Sequence, residues 1–176
     1  MLYLIASLLF SFTANTQVIF EFTKESKLSN WRIVDDGVMG GLSKGKFKLN
    51  EEGKGEFYGF VSLENNGGFS SLRFQPNPIV FENKSKALIT VKGDGKNYQF
   101  RIKERKNDYA SYISTFSTSG KWETIEIPLK DLYPSWRGRK LQQPNYAGNR
   151  IEEITFLIAN KTEESFKLEI EKIELK

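Results

Sequence analysis

The chain has 176 residues, enough for one domain with a substantial core, and its 14 Phe, 7 Tyr and 3 Trp with 27% charged residues mark a folded chain. It contains no His and no Cys, which excludes Ser-His-Asp and Cys-His catalysis, disulfides and the usual structural zinc sites. Its 26 Lys and Arg against 22 Asp and Glu leave a net charge of +4, interspersed along the chain and without a basic-aromatic module, so nucleic-acid binding is not expected.

The amino terminus is an almost unbroken apolar run from Leu2 to Phe12, free of charge until Glu21. It is too short to span a bilayer as a helix. It fits the apolar core of a secretory signal, with Ala14-Asn15-Thr16 as a small-x-small cleavage site, although no Lys or Arg follows Met1. Residues 1–16 are therefore expected to be a signal peptide. Residues 17–176 then form a single domain in the periplasm or cell envelope, with no transmembrane span in the mature chain. The alternative is a buried first strand in a cytoplasmic protein.

Nearly every later segment reads as strand. Val18–Phe22 is a short apolar run. Gly45–Asn50 and Gly55–Glu64 flank a hairpin turn at Glu51–Lys54, with Phe57, Gly59, Val61 and Leu63 on one face. Ala87, Ile89 and Val91 alternate with Leu88 and Thr90, and Gly93-Asp94-Gly95 turns the chain into Tyr98, Phe100 and Ile102. The run RIKERK, Arg101 to Lys106, reads as a strand end on a solvated edge that its charges protect from pairing. Tyr109–Ser117 and Lys121–Ile127 flank Thr118-Ser119-Gly120, a hairpin signal. A short helical turn is expected at Leu129–Tyr133, after Pro128.

Ile151–Ala159 is apolar on both faces and is expected to be a central, covered strand. In the last strand Phe166, Leu168 and Ile170 share one parity while Ile173 and Leu175 take the other, which predicts a bulge near Glu171-Lys172. Many short strands with glycine turns predict an all-β fold, an antiparallel β-sandwich. Leu132–Arg150 stands apart as a long aperiodic loop rich in aromatics and Arg, and is the surface best suited to recognition.

The segment WRIVDDGVMGGLSKG carries Trp31, Asp36, Met39, Gly40, Gly41 and Ser43. It has an echo in Gly67-Gly68-Phe69 and Arg73. These residues, with Phe57 and Gly59, and then Trp122, Ile127-Pro128, Arg137-Gly138 and Phe166–Ile170, resemble the complex I intermediate-associated protein family of thirty-kilodalton type. The resemblance covers nearly all of the mature chain in order, and the export-type start reads as that of a bacterial member. It implies a galactose-binding-domain-like sandwich, or jelly roll. It also implies the chaperone-like, non-catalytic role of mitochondrial members, which assist assembly of respiratory complex I. Plant members belong to larger proteins tied to photosystem assembly. The resemblance brings no catalytic residue.

Asp35-Asp36-Gly37 offers two carboxylates beside exposed backbone. A hard cation or a sugar hydroxyl is one use for them. The other is Asp36 accepting backbone N–H groups to hold the glycine turn, and this is the reading preferred. Gly40-Gly41 and Gly67-Gly68 read as close backbone packing, since no Walker-type sequence follows. Arg73 is expected to pair with a carboxylate such as Asp36. Trp31 and Trp122 lie in strand-like context and read as core or half-core.

Trp136, with Arg137, Tyr133, Tyr146 and Arg139, is the candidate contact set for a partner or ligand. The leading expectation is a protein-binding β-sandwich without cofactor, metal or catalysis. A carbohydrate-binding module of the same fold is the alternative, using Trp136, Tyr133 and Tyr146 with Asp35 or Asp36. An enzyme built on Asp36 and Glu64 is a third reading, which no tuned acid pair supports.

Overall fold

Residue alternation in the chain dictates two sheets that bury one face each. The structure, a computed structural model, describes residues 16–176. The expected signal segment, all but Thr16, lies outside the described residues. In chain order the strands are β1 (Gln17–Glu21), β2 (Trp31–Asp35), β3 (Lys44–Leu49), β4 (Gly55–Val61), β5 (Ser70–Phe74), β6 (Ile79–Val80), β7 (Lys86–Lys92) and β8 (Asn97–Lys103). They continue as β9 (Ser111–Ser117), β10 (Glu123–Pro128), β11 (Tyr133–Trp136), β12 (Arg139–Lys140), β13 (Arg150–Ile151), β14 (Glu153–Ile158) and β15 (Glu164–Leu175). Short 3-10 turns occupy Asp36–Met39, Glu64–Asn66 and Leu129–Asp131.

One sheet runs β10-β7-β15-β4-β3, with β1 added along the end of β15; the other runs β12-β11-β9-β8-β14-β5-β2. All pairings are antiparallel, and a small β13-β6 pair closes one side. Their facing sides carry Phe57, Phe166, Leu168, Ile89 and Ile173 from the first sheet and Leu72, Phe100, Ile102, Ile154 and Phe156 from the second. This all-β antiparallel sandwich is the fold class that the strand pattern predicts. At one end Phe20, Phe22, Phe47 and Phe74 surround Trp31, with Phe74 stacked on it at 4.4 Å.

Long β15 pairs with β4 from Glu164 to Ile170 and with β7 from Glu169 to Leu175, and the β7 register slips between Ile170 and Lys172. That bulge returns Ile173 and Leu175 to the core, as their parity predicts. Strand β14 lies between β5 and β8 with all six residues buried, the covered central strand expected there.

Five expectations are corrected. Thr118–Gly120 is not a hairpin turn: β9 pairs with β8 and β11, and β10 pairs with β7 in the opposite sheet, so the segment crosses between layers. The sequence signal is the same because a tight reversal needs glycine whether the chain re-enters its own sheet or the other. Arg101 is not on an edge, because β8 is paired there with both β14 and β9, and Lys103 pairs with Glu153 of β14. Trp122 is 38% exposed and Leu63 is also exposed, each lying just outside a strand. Leu132–Arg150 is not aperiodic throughout; it holds β11, β12 and the start of β13.

Candidate functional site

The two glycine doublets, distant in sequence, converge on one carboxylate. Asp36 is fully buried, and its Oδ1 accepts the Ser43 N–H at 3.1 Å. Its Oδ2 accepts the Ser43 hydroxyl at 2.5 Å, the Gly68 N–H at 2.6 Å and the Phe69 N–H at 3.2 Å. A side chain at Gly41 would place its Cβ 2.3 Å from Asp36 Cγ, and one at Gly67 would lie 2.6 Å from Oδ2, so glycine is required where backbone closes on this group. Gly40 caps the Asp36–Met39 turn at φ +86°. Burial pushes the Asp36 carboxyl up, but the hydrogen bonds from Ser43, Gly68 and Phe69 outweigh it and hold the pKa below its ordinary value.

Neighbouring Asp35 is committed elsewhere, accepting the Gly45 N–H at 3.0 Å and the Ser70 hydroxyl at 2.6 Å. The two carboxylates therefore serve different strands and do not converge on one point. Among the described residues no cluster of three metal-ligating side chains forms. Asp36 also takes no part in pairing with Arg73: its oxygens accept from Ser43, Gly68 and Phe69, and the acid that Arg73 meets is Glu153, at 3.9 Å. That expectation is corrected.

The outer face of the seven-stranded sheet holds a cleft of about 690 Å³. Alternation along each strand places the polar residues there, opposite the core positions. Its floor comes from Arg73 on β5, Glu153, Thr155 and Leu157 on β14, and Arg101 and Lys103 on β8. One wall is the Asn66–Phe69 loop that Asp36 anchors; the other is Trp136, Arg137 and Gly138 with Tyr109. Thr155 pairs with Arg73 on one side and Arg101 on the other, so both guanidinium groups rise from one transverse row, two strand spacings or about 10 Å apart at the backbone.

The wall at Trp136 is a tight hairpin between β11 and β12. Arg137 and Gly138 both take positive φ, +49° and +76°, the pattern of a two-residue turn that matches strand twist. This turn lays the Arg137 guanidinium 4.8 Å over the Trp136 ring. Tyr109 meets the same indole edge-on at 6.2 Å and 78°.

The candidate contact residues are thus divided. Trp136 and Arg137 line the cleft, while Tyr133, under Lys140 at 5.1 Å, and exposed Arg139 flank it. Tyr146 is placed elsewhere: it is 3% exposed, packs on Tyr112 and donates its hydroxyl to the Arg150 carbonyl at 2.9 Å. Burial pushes its phenol pKa up. Of the family-motif residues, Gly67, Gly68, Phe69 and Arg73 also line the cleft, whereas Trp31 and Ser43 are buried away from it.

Sequence reasoning missed Arg101, Lys103, Tyr109, Glu153 and Thr155. A signal was present. Arg101 and Lys103 alternate with Phe100 and Ile102, and Glu153 and Thr155 are polar positions at period two inside an otherwise apolar strand.

Electrostatically the cleft is one-sided. Glu153, 3% exposed, is its single acid, and it is already engaged by Gln75 at 2.6 Å, Arg32 at 3.7 Å and Arg73 at 3.9 Å. Among the described residues the Arg101 guanidinium donates only to Gln99 Oε1, at 2.9 Å through Nε and 2.5 Å through Nη2. Burial, then repulsion from Arg73, pulls its pKa down to about 10.

Comparison with known proteins places this architecture. The family model described as Complex I intermediate-associated protein 30 (CIA30) matches residues 20–170. The mouse (Mus musculus) protein named "Complex I intermediate-associated protein 30, mitochondrial" is 24% identical over 179 residues, covering 88% of this chain and 54% of the mouse protein. The chain thus spans about half the length of that curated relative.

Among solved structures, a family 11 carbohydrate-binding module from Clostridium thermocellum, in complex with a beta-1,3-1,4-mixed-linked tetrasaccharide, superposes with a TM-score of 0.68. It is 18% identical, covering 91% of this chain and 94% of the module. A family 29 carbohydrate-binding module, 13% identical, reaches 0.53 over 93% and 92% of the two chains. These likenesses show a galactose-binding-like jelly roll.

Proposed function

Because the chain belongs to the Complex I intermediate-associated protein 30 family, we propose that it is a non-catalytic interaction protein that engages a protein partner, in the manner of an assembly factor, through the cleft between Trp136 and the Gly67-Gly68 loop. The observation that carries this reading is the cleft's composition. Trp136, Tyr109 and Arg137 form a partly exposed aromatic-Arg cluster above a sheet floor, the residue types that dominate interface energetics. The absence of catalysis is supported by the state of Glu153: the one acid in the cleft is held by two Arg and a Gln, with no second carboxylate to work against.

The mouse relative's name ties that protein to intermediates of complex I. Export to the envelope, supported by the Leu2–Phe12 run, would separate its partner from that of a mitochondrial protein.

The experiment is affinity capture from native cells with the full chain and with Trp136→Ala. The reading predicts that a specific partner is retained by wild type and lost from the variant while thermal stability stays within about 1 kcal/mol, Trp136 being a partly exposed rim residue. An identical partner set for both proteins would contradict it.

Carbohydrate binding is a second reading, favoured by one observation: the partly exposed Trp136 and Tyr109 stand over hydrogen-bonding side chains on an open sheet face. A glycan array probed with wild type and Trp136→Ala decides it, and no binding by either protein removes it.

A further inference from the structure

We propose that the cleft receives an acidic side chain of a partner protein, its carboxylate bracketed by Arg73 and Arg101. This rests on the reading of the cleft as a protein-binding surface and adds the chemistry of the partner.

Three observations converge. The cleft is lined by four basic side chains, Arg73, Arg101, Lys103 and Arg137, against one acid, Glu153, whose oxygens are already shared. Among the described residues no carboxylate reaches Arg101, Lys103 or Arg137; Arg101 is served by an amide oxygen and Lys103 by the Asp108 carbonyl at 2.7 Å. Arg73 keeps a buried Nε with no acceptor at all, which leaves a donor of the pair unsatisfied.

The two half-buried guanidinium groups stand in one row and repel each other, and Glu153 meets only Arg73 of the two, so a second anion between them is favoured. A carboxylate is the complementary group, since the planar Arg fork matches its two oxygens. Low-dielectric walls around fixed positive charge also focus the field that steers such a group in.

The geometry favours a peptide over an acidic sugar chain. One face of the Trp136 ring is covered by Arg137, and the Trp136 and Tyr109 planes stand at 78°. They do not form the coplanar platform across which successive pyranoses stack. A side chain entering the cleft between this rim and the Asn66–Phe69 wall meets the floor that carries Arg73 and Arg101.

The test titrates the 15N-labelled full chain with two synthetic peptides of equal length, one alternating Gly and Glu and the other Gly and Gln. Oligogalacturonate serves as the sugar probe. The Arg73 and Arg101 Nε–H signals are followed, with the Trp136 indole as the rim reporter. We expect the Glu peptide to shift both Arg signals and to bind about ten-fold more tightly than the Gln peptide, an advantage that shrinks as salt is raised. Arg101→Met should erase most of that advantage.

Equal binding of the two peptides at the Trp136 indole overturns the acidic assignment and leaves the protein-binding reading standing. Binding of oligogalacturonate alone overturns the proposal in favour of a glycan. Silence of the cleft toward both peptides and the sugar overturns the proposal and the reading together. The peptide comparison uses only wild-type protein, so it stands even if Arg101→Met does not fold.

Discussion

Asp36 accepts four hydrogen bonds while fully buried, and three of their donors are backbone N–H groups of two separate loops. Asparagine at this position would turn an NH2 group toward those donors. Asp36→Asn is therefore expected to cost about 3 kcal/mol of stability, measured by denaturant unfolding. The pH dependence has a definite sign. The folded pKa lies below the ordinary value of 3.8, so the contribution is complete above that pH and is lost as pH falls through the folded value. Wild-type stability should fall more steeply than that of Asp36→Asn below pH 4, by up to about 1.4 kcal/mol per pH unit. Parallel acid limbs would show that the carboxylate is not held ionised. The same residue positions one wall of the cleft, which links a buried structural group to the surface where recognition is proposed.

At the scale of the element, the Arg137-Gly138 hairpin holds a non-glycine residue at φ +49°, a conformation with a steric cost for an L-residue. The side chain that bears the cost lies over Trp136 at the rim. Asparagine tolerates this backbone better but cannot cover the indole, so relief of strain and loss of the cation-π contact nearly cancel. Arg137→Asn should keep unfolding stability within about 0.5 kcal/mol of wild type while weakening partner retention. A variant that binds as wild type would place Arg137 outside the interface.

Elements also mark where the sequence could and could not be read. The β15 bulge and the covered β14 were legible because parity and two-faced apolarity are local properties, carried by Ile170, Ile173 and the run Ile154–Ile158. The Thr118–Gly120 crossover was not, since its residues specify a reversal and not the sheet that the chain enters next. Arg73 was misassigned to Asp36 for a related reason: which acid faces which base depends on strand order, and β5 meets β14, with Glu153, only in the folded sheet. Tyr146 and Trp136 share one segment and similar chemistry, and only long-range placement separates them: Tyr146 is tied to the Leu132 and Arg150 carbonyls in the core, while Trp136 ends at the β11-β12 hairpin on the rim.

For the whole molecule, the outer faces of the two sheets contrast. On the six-stranded sheet charges alternate across strands: Lys48 meets Glu56 at 3.3 Å, Glu56 meets Lys167 at 3.0 Å, and Glu169 lies between Lys167 at 3.9 Å and Lys92 at 3.4 Å. Burial raises the Glu56 pKa, but the two lysines outweigh it and hold the carboxyl below its ordinary value. These acids and bases neutralise one another across four strands. On the seven-stranded sheet the uncompensated bases sit inside the cleft. Among the described residues this contrast makes the cleft face the proposed side for a partner.

Placing a photoreactive amino acid at Tyr109, 61% exposed on the cleft rim, and separately at Phe60, 45% exposed on the opposite sheet, tests this directly in cells. The account predicts a discrete protein adduct from position 109, competed away by excess unlabelled wild type and not by Trp136→Ala, and none from position 60. Adducts from position 60 alone, or equally from both positions, would contradict it.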